Sequence, residues 1–386
     1  MAMTKINFKK TKIATTIITS LIIGLIMLSP MTVLPNINAY GSNTSSVDDC
    51  THRMSNEMHS KAATLNEAKA ISLGSADGNF KSAIQGYDSK LATVFNTWHL
   101  NKSDCTVSWN DVNVGYVLSN SNGYVKNVVI TLDPSLTKVI GVSAYVAPFF
   151  SNSTSAVWSG YALGNGQKVT EAYLSSTIPS ISQATTSTNK CVPTTGVSPG
   201  CDLAVWTGLE DTSNRIAQGG SDGNLTCNNT SCTSPTYNYF LWYEELPNPA
   251  FTCHNAAIAG GDSITSDVVW TGNVGSTGYY NISVQDTSAS YGCSVTNYGF
   301  AMTNPSSAPF IDERADYGTK GKDELAKFSY DKMTGSIAFN GGALGSITTA
   351  EILTSYNMKN PTTQNISVGG ISSGAFKQYY TTSTGT

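Results

Sequence analysis

Residues 215–222 read RIAQGGSD, a short strand-like run with an amide side chain, Gln218, at its centre. Residues 308–314 read APFIDER and form a second strand-like run, which carries a carboxylate, Glu313. From residue 156 onward, short runs rich in Tyr, Trp, Val and Ile alternate with Gly, Asn, Asp, Ser and Pro turns. Many short strands without long helices indicate an all-β fold, a sandwich or a barrel. Roughly 230 residues are enough to bury one core of this kind.

Three further segments complete an ordered series. AVWSGY at residues 156–161 opens it, AVWTGLE at 204–210 follows, and YFLWYEELP at 239–247 lies between the Gln218 and Glu313 stretches. In this order the segments resemble the glutamic peptidases (eqolisins, peptidase family G1, A4-like acid proteases). The resemblance spans residues 156 to 380 and implies two antiparallel sheets packed face to face, a concanavalin-like β-sandwich.

The resemblance also implies a set of site residues. Gln218 matches the family's catalytic Gln, and Glu313 matches its catalytic Glu. Positions where the family carries cleft-lining aromatic and acidic residues are matched by Trp158, Trp206, Glu210, Asp222, Trp242, Tyr243 and Glu244. The chain departs from the family pattern at Gly219, where Thr is usual, at Pro309, where an acidic residue is usual, and at Glu210, where Asp is usual. These departures bear on specificity and efficiency more than on the reaction.

The chemistry of the two side chains agrees with peptide hydrolysis in acid. The reaction needs a base that activates water and a donor for the oxyanion. The pKa of a free Glu is about 4.3, so a Glu can act as a base at a pH where His would already be protonated. An amide N–H is uncharged and donates at any pH. We therefore expect Glu313 to act as general base and then as general acid, and Gln218 to orient the water and stabilise the oxyanion.

Two alternatives remain open from the residues alone. A glycoside hydrolase on the same kind of sandwich would use Glu244 and Glu313 as its carboxylate pair. A non-catalytic adhesin or glycan-binding module would stack sugars on Trp206 and Trp242. A serine mechanism is poorly supported, because His254 is the only histidine of the predicted sandwich.

Residues 1–39 have the features of a targeting segment. Four lysines precede an apolar run over residues 13–28, as in a signal peptide. The run is slightly shorter than the about 20 residues of a membrane span, so a signal peptide and an uncleaved N-terminal anchor are both open. We expect the rest of the chain to be secreted or extracellular at the cell surface, with membrane contact only through this segment.

Residues 49–147 are predicted to form a small α+β domain, flanked by linkers at 40–48 and 148–155 and followed by the sandwich at 156–386. Helix-compatible sequence over residues 62–98 precedes the strand-like runs. These runs cover residues 107–118, 124–132 and 137–145. The order loosely resembles PepSY-type domains, and a generic accessory domain fits equally well. Its position ahead of the sandwich is also compatible with a removable pro-domain.

The eight cysteines agree with export, because an even number in a secreted chain suggests disulfides. The economical pairings are Cys50 with Cys105, Cys191 with Cys201, Cys227 with Cys232, and Cys253 with Cys293. No Cys-x-x-Cys motif occurs, so we predict no metal, and nothing in the sequence calls for a cofactor. Possible glycosylation acceptors are Asn43, Asn101, Asn152, Asn224, Asn228, Asn229, Asn281 and Asn365.

Charge excludes one class of partner. Asp, Glu, Lys and Arg make up 12% of the chain, and the formal net charge is −4 at pH 7, without a basic stripe. Nucleic acid is therefore not an expected partner. We expect a monomer that acts on polypeptide substrates.

Overall fold

The computed structural model describes residues 66–101, 103–104, 106–147, 157–183, 191, 200–229, 231–246, 248–253, 258–315, 324–358 and 364–382. The predicted targeting segment at 1–39 and both predicted linkers lie outside these ranges. The predicted pairing of Cys50 with Cys105 lies outside them as well. The described residues all belong to one compact unit.

The described elements are two helices and twenty strands, with one short 3-10 helix, Thr349–Glu351. The helices are α1 (Glu67–Ala76) and α2 (Gly78–Ile84). The strands are β1 (Asp88–Asn101), β2 (Thr106–Asn120), β3 (Gly123–Leu132), β4 (Val139–Tyr145), β5 (Trp158–Leu163), β6 (Val169–Thr177), β7 (Cys201–Glu210), β8 (Ile216–Thr226), β9 (Thr236–Glu245), β10 (Phe251–Thr252), β11 (Ser263–Val274), β12 (Thr277–Asp286), β13 (Tyr291–Phe300), β14 (Ala308–Glu313), β15 (Glu324–Leu325), β16 (Tyr330–Phe339), β17 (Gly345–Ser346), β18 (Ile352–Tyr356), β19 (Gln364–Val368) and β20 (Ala375–Thr382). No described helix is long and apolar enough to cross a membrane.

The strands form two sheets. The twelve-stranded sheet has the order β19-β20-β16-β6-β11-β12-β13-β1-β2-β3-β4, with β17 paired to β16. The eight-stranded sheet has the order β10-β9-β8-β7-β14-β5-β18, with β15 paired to β7. Apart from the parallel contact between β15 and β7, the paired strands run antiparallel. The predicted two-sheet antiparallel sandwich is therefore confirmed.

The main core lies between the sheets. Val205 of β7 faces it from the eight-stranded sheet, and Val268 and Val284 face it from the twelve-stranded sheet. The sheets come into close contact at Gly219, where an added Cβ would lie 2.7 Å from a Val284 methyl. The Ser266 hydroxyl donates to the Gly219 carbonyl over 2.7 Å. The Gly219 departure from the family pattern thus belongs to the contact between the sheets.

The N-terminal strands continue the twelve-stranded sheet. β1 pairs antiparallel with β13, with Asn96 opposite Ser294 and Trp98 opposite Gly292. The sheet then proceeds in sequence order through β2, β3 and β4. The helices contribute Ala70 and Phe80 to a separate cluster on these strands.

The helix-compatible stretch ends earlier than the sequence predicts. Residues 88–98 belong to β1 because this segment pairs with both β13 and β2. Gly86, with φ of 84°, makes the turn between the helices and this strand. Local helix propensity is overridden here by the sheet on either side.

Three predicted disulfides are confirmed. They join Cys191 to Cys201, Cys227 to Cys232, and Cys253 to Cys293. Two of the possible glycosylation acceptors, Asn224 and Asn281, lie in strands with buried side chains. These two side chains are therefore not surface acceptors in the folded protein.

Candidate active site

The candidate site lies on the outer face, which we define as the face of the eight-stranded sheet directed away from the twelve-stranded sheet. Successive residues of a strand point to opposite faces. Because Val205, Gly219 and Phe310 face the other sheet, their neighbours Trp206, Gln218 and Ile311 face outward. The alternation therefore assembles one continuous face from five adjacent strands, β9, β8, β7, β14 and β5.

Glu313 is the last residue of β14 and is fully buried. It lies opposite Trp158 of β5 on one side and opposite Ala204 of β7 on the other. The Trp206 indole Nε1 donates to Glu313 Oε2 over 2.9 Å. An indole N–H can only donate, so this bond fixes the orientation of the carboxyl group.

Gln218 lies on β8, opposite Gly208 of β7 and opposite Glu244 of β9, and is also fully buried. Its Nε2 donates to Glu244 Oε2 over 2.6 Å. Gln218 Oε1 has no hydrogen-bond partner among the described residues. Because an amide nitrogen carries two hydrogens, the bond to Glu244 leaves a second N–H for a ligand.

Three tryptophans form the apolar part of the outer face. The rings of Trp158 and Trp206 meet edge to face, with centroids 5.0 Å apart and planes at 75°. Trp206 and Trp242 lie on either side of Gly220, in register across β7, β8 and β9. All three side chains are fully buried. This cluster separates Glu313 at one end of the face from Gln218 at the other.

Asp222 and Glu210 lie at opposite ends of the same face. Asp222 stands in register with Ala204, and therefore with Glu313 one strand further on. Glu210 Oε2 accepts a hydrogen bond from the Ser307 hydroxyl over 3.0 Å. Ser307 directly precedes β14. Burial raises the pKa of Glu210. The hydrogen bond from Ser307 lowers this pKa, and the charge of Asp211 raises it further.

The strands that carry the two predicted catalytic residues are not neighbours. β7 lies between β8 and β14, so these two strand backbones are about 10 Å apart at the usual strand spacing. The two residues are also offset along the strands, because Gln218 lies opposite Gly208 of β7 and Glu313 lies opposite Ala204. The Trp206 side chain extends from β7 between them and contacts Glu313 directly. Gln218 and Glu313 thus share one face without being adjacent residues of the sheet.

The expectation from the sequence that Tyr243 lines the cleft is wrong. It directly precedes Glu244 on β9 and therefore points to the opposite face, into the core between the sheets. There it contacts Phe95 and Phe251, with ring centroids 5.4 Å and 6.0 Å away. Its hydroxyl donates to Thr93 Oγ1 over 3.0 Å. Strand alternation excludes Tyr243 from any site that contains Glu244.

Sequence reasoning missed three supporting residues. Gly208 and Gly220 have no room for a side chain, since an added Cβ would lie 2.9 Å from Gln218 Cβ and 2.6 Å from Trp206 Cβ respectively. Asp202 is fully buried, and its Oδ2 accepts from the Ala315 N–H over 2.8 Å, two residues beyond Glu313. A glycine inside a strand and a buried acid in an apolar strand were the available signals.

Among the described residues, no group of three or more His, Cys, Asp or Glu side chains is arranged to hold a metal ion. The polar groups of the outer face are instead an amide and several carboxyl groups around an aromatic centre.

Comparison with known proteins adds a family match. The model of the peptidase A4 family matches residues 156–375, more than half of the chain. Two crystal structures of scytalido-glutamic peptidase are similar to this chain. The structure with a peptide-based transition state analog is 19% identical, with a TM-score of 0.42. The structure with a transition state analog inhibitor is 20% identical, with a TM-score of 0.43. Both cover 59% of this chain and 100% of their own. Aspergilloglutamic peptidase from Aspergillus niger is 20% identical, covers 47% of this chain and 99% of its own, and has a TM-score of 0.38. No curated protein sequence matches.

Proposed function

The chain belongs to the peptidase A4 family and is a glutamic endopeptidase, and from this premise we propose that it is a secreted acid peptidase that activates water with Glu313 and Gln218. The observation that carries the proposal is the family match over the segment that holds both residues. It is supported by the shared outer face, on which a buried carboxyl group and a buried amide flank Trp206.

Glu313 is the proposed general base. It takes a proton from water while the water oxygen attacks the carbonyl carbon of the peptide. It then returns this proton to the leaving nitrogen, and the C–N bond breaks. The indole bond from Trp206 supports this role because it holds the carboxyl group in one orientation throughout. Burial from bulk water strengthens such interactions.

Gln218 is the proposed partner of the reacting oxygens. Its hydrogen bond to Glu244 occupies one N–H and holds the amide in place. The second N–H is suited to donate to the oxyanion of the tetrahedral intermediate. Oε1, which has no partner among the described residues, is suited to accept a hydrogen bond from the attacking water. Trp158, Trp242 and Asp222 would then contact the polypeptide on either side.

Operation in acid is supported by carboxyl groups outside the proposed dyad. Burial raises the pKa of Glu245 to about 7, against hydrogen bonds from Tyr298 and Asn248 and the charge of Lys90. Burial also raises the pKa of Asp331 to about 6. Groups of this kind favour the folded state in acid, when they are protonated. Export is supported by the three disulfides, which persist in oxidising compartments.

The test is cleavage of unfolded casein by the full chain across pH 2 to 7. We expect hydrolysis in acid that resists pepstatin, as is typical of the family. Glu313→Gln should lower kcat/KM by about 10²–10⁴, the usual contribution of a general acid or base. Gln218→Ala should lower it by about 10²–10³, the usual cost of one oxyanion donor.

Glu351→Gln is the matched control, because Glu351 is a capping residue of the 3-10 helix and Gln also serves in a capping box. It should cleave like the wild type. If the folded Glu313→Gln and Gln218→Ala variants both kept activity within a few-fold of this control, the proposed dyad would be refuted. Family membership favours peptide hydrolysis over the glycosidase and glycan-binding alternatives.

A further inference from the structure

The N-terminal strands support the edge of the sheet that carries the candidate site. β10 is one of the two edge strands of the eight-stranded sheet. It pairs with β9, with Phe251 opposite Tyr243 and Thr252 opposite Trp242. β9 carries Glu244, the hydrogen-bond partner of Gln218. The position of β9 therefore bears on the orientation of the amide.

Two polar side chains of the N-terminal strands bind the backbone at β10. Asn127 of β3 is fully buried, and its Nδ2 donates to the Ala250 carbonyl over 2.9 Å. The Tyr145 hydroxyl of β4 accepts from the Thr252 N–H over 3.1 Å. Asn127 and Tyr145 are cross-strand partners. Together they hold the backbone on both sides of Phe251.

An aromatic contact reinforces these bonds. Phe95 of β1 packs against Tyr243 and Phe251, with centroids 5.4 Å and 6.5 Å away, and all three side chains are almost completely buried. Gly115 of β2 lies under Phe251, where an added Cβ would be 2.5 Å from the ring. The Tyr243 hydroxyl donates to Thr93 of β1. The inner surface of β9 and β10 is thus completed by β1 and β2.

We propose that β1–β4 form a permanent support of the catalytic sheet, with Asn127, Tyr145 and Thr93 as positioning residues that act through β9 and Glu244 on Gln218. The inference rests on the proposed function of Gln218. A removable inhibitor would leave a complete catalytic sheet behind. Removal of β1–β4 would instead expose the inner surface of β9 and β10 and release the hydrogen bonds that hold β10.

The first test compares two single-atom changes in the full chain. Tyr145→Phe removes the acceptor for the Thr252 N–H. Tyr116→Phe is the matched control, because the Tyr116 ring lies on β2 and packs against Phe80 of α2, with ring centroids 4.6 Å apart, in the separate cluster on the N-terminal strands. We expect Tyr145→Phe to lower kcat about threefold to tenfold, the rate equivalent of one neutral hydrogen bond, with KM nearly unchanged. Tyr116→Phe should leave both constants unchanged.

A double-mutant cycle adds a readout that general destabilisation would not move. In a Glu244→Ala background the route from Tyr145 to Gln218 is interrupted, so Tyr145→Phe should have little further effect on kcat. Equal effects of Tyr145→Phe in both backgrounds would overturn the proposal, as would a Tyr145→Phe enzyme that matches Tyr116→Phe. If the wild type hydrolyses no polypeptide at any pH, the proposed function itself fails.

The second test does not depend on these substitutions. A specific protease site is inserted between Ala147 and Val157, and the folded chain is cut there. We expect the two fragments to elute together and kcat to be retained. Release of the N-terminal fragment with an active remainder would overturn the support and favour a pro-domain. In that outcome the proposed peptidase function would stand.

Discussion

Two buried carboxyl groups between the sheets make the free energy of unfolding depend on pH. We expect Asp331→Asn to reduce this pH dependence. Asp312 lies on β14, next to Glu313 but facing the core, and Asp331 lies on β16 of the opposite sheet. Both side chains are at most 1% exposed, and the two carboxyl groups interact electrostatically. The Ser176 hydroxyl donates to Asp331 Oδ1 over 2.6 Å. Because two buried negative charges repel each other, the pair favours a state in which one carboxyl group keeps its proton.

The pKa values give the sign and size of the effect. Burial raises the pKa of Asp331 from 3.8 to about 6, although bonds to Ser176, Asp312 and the Lys332 N–H oppose the rise. Burial, followed by the charge and hydrogen bond of Asp331, holds the pKa of Asp312 well above its usual range. Because both folded-state values are raised, the stabilisation is complete below about pH 4 and is lost as pH rises through the folded-state values. For Asp331 the loss is about 3 kcal/mol, at about 1.4 kcal/mol for each pH unit.

Asn at position 331 reproduces the protonated acid. It can accept from Ser176 and donate its N–H to Asp312, without a proton that can be lost. Relative to the wild type, we therefore expect Asp331→Asn to change the free energy of unfolding little at pH 3.5. At pH 7.5 the variant should be more stable by about 3 kcal/mol.

The assay is urea unfolding followed by tryptophan fluorescence at pH 3.5, 5, 6 and 7.5. All proteins carry Glu313→Gln to prevent self-digestion. Asp88→Asn serves as the control, because Asp88 is an exposed carboxylate at the start of β1. A difference between wild type and Asp331→Asn that stays constant from pH 3.5 to 7.5 would refute the reasoning about the pair.

Three further predictions concern the sheets and the site. Gly219→Thr, which restores the usual family residue, should destabilise the fold by about 1–3 kcal/mol because its side chain enters the contact between the sheets; an unchanged urea midpoint would contradict this. Trp206→Phe removes the donor to Glu313 and should lower kcat about tenfold in steady-state assays while far-UV circular dichroism stays unchanged; wild-type kcat would show that the indole bond does not assist catalysis. Replacing Cys253 and Cys293 together with Ser should cost about 2–5 kcal/mol of unfolding free energy; urea unfolding measures the loss, and equal midpoints would contradict it.

Local sequence was sufficient for much of the architecture. Period-two alternation and frequent turn residues predict strands without the rest of the protein, because side-chain direction in a strand is a property of the backbone. The same locality explains why the pairings of Cys191 with Cys201 and Cys227 with Cys232 could be predicted, since few residues separate their members. Gln218 and Glu313 were chosen by resemblance, and the fold brings both to one face.

Other features depend on which strands become neighbours. The sequence alone predicted an exported, disulfide-bonded all-β chain with an amide and a carboxylate in characteristic strands. Only the tertiary structure decided that Tyr243 faces the core, that β1 joins β13, and that Asp312 meets Asp331 across the sandwich. The alternation of side chains along a strand shows that neighbouring residues face opposite sides of the sheet. It does not show which of these sides the second sheet buries. Long-range pairing and burial make that choice, because they determine which surface each strand turns toward the second sheet.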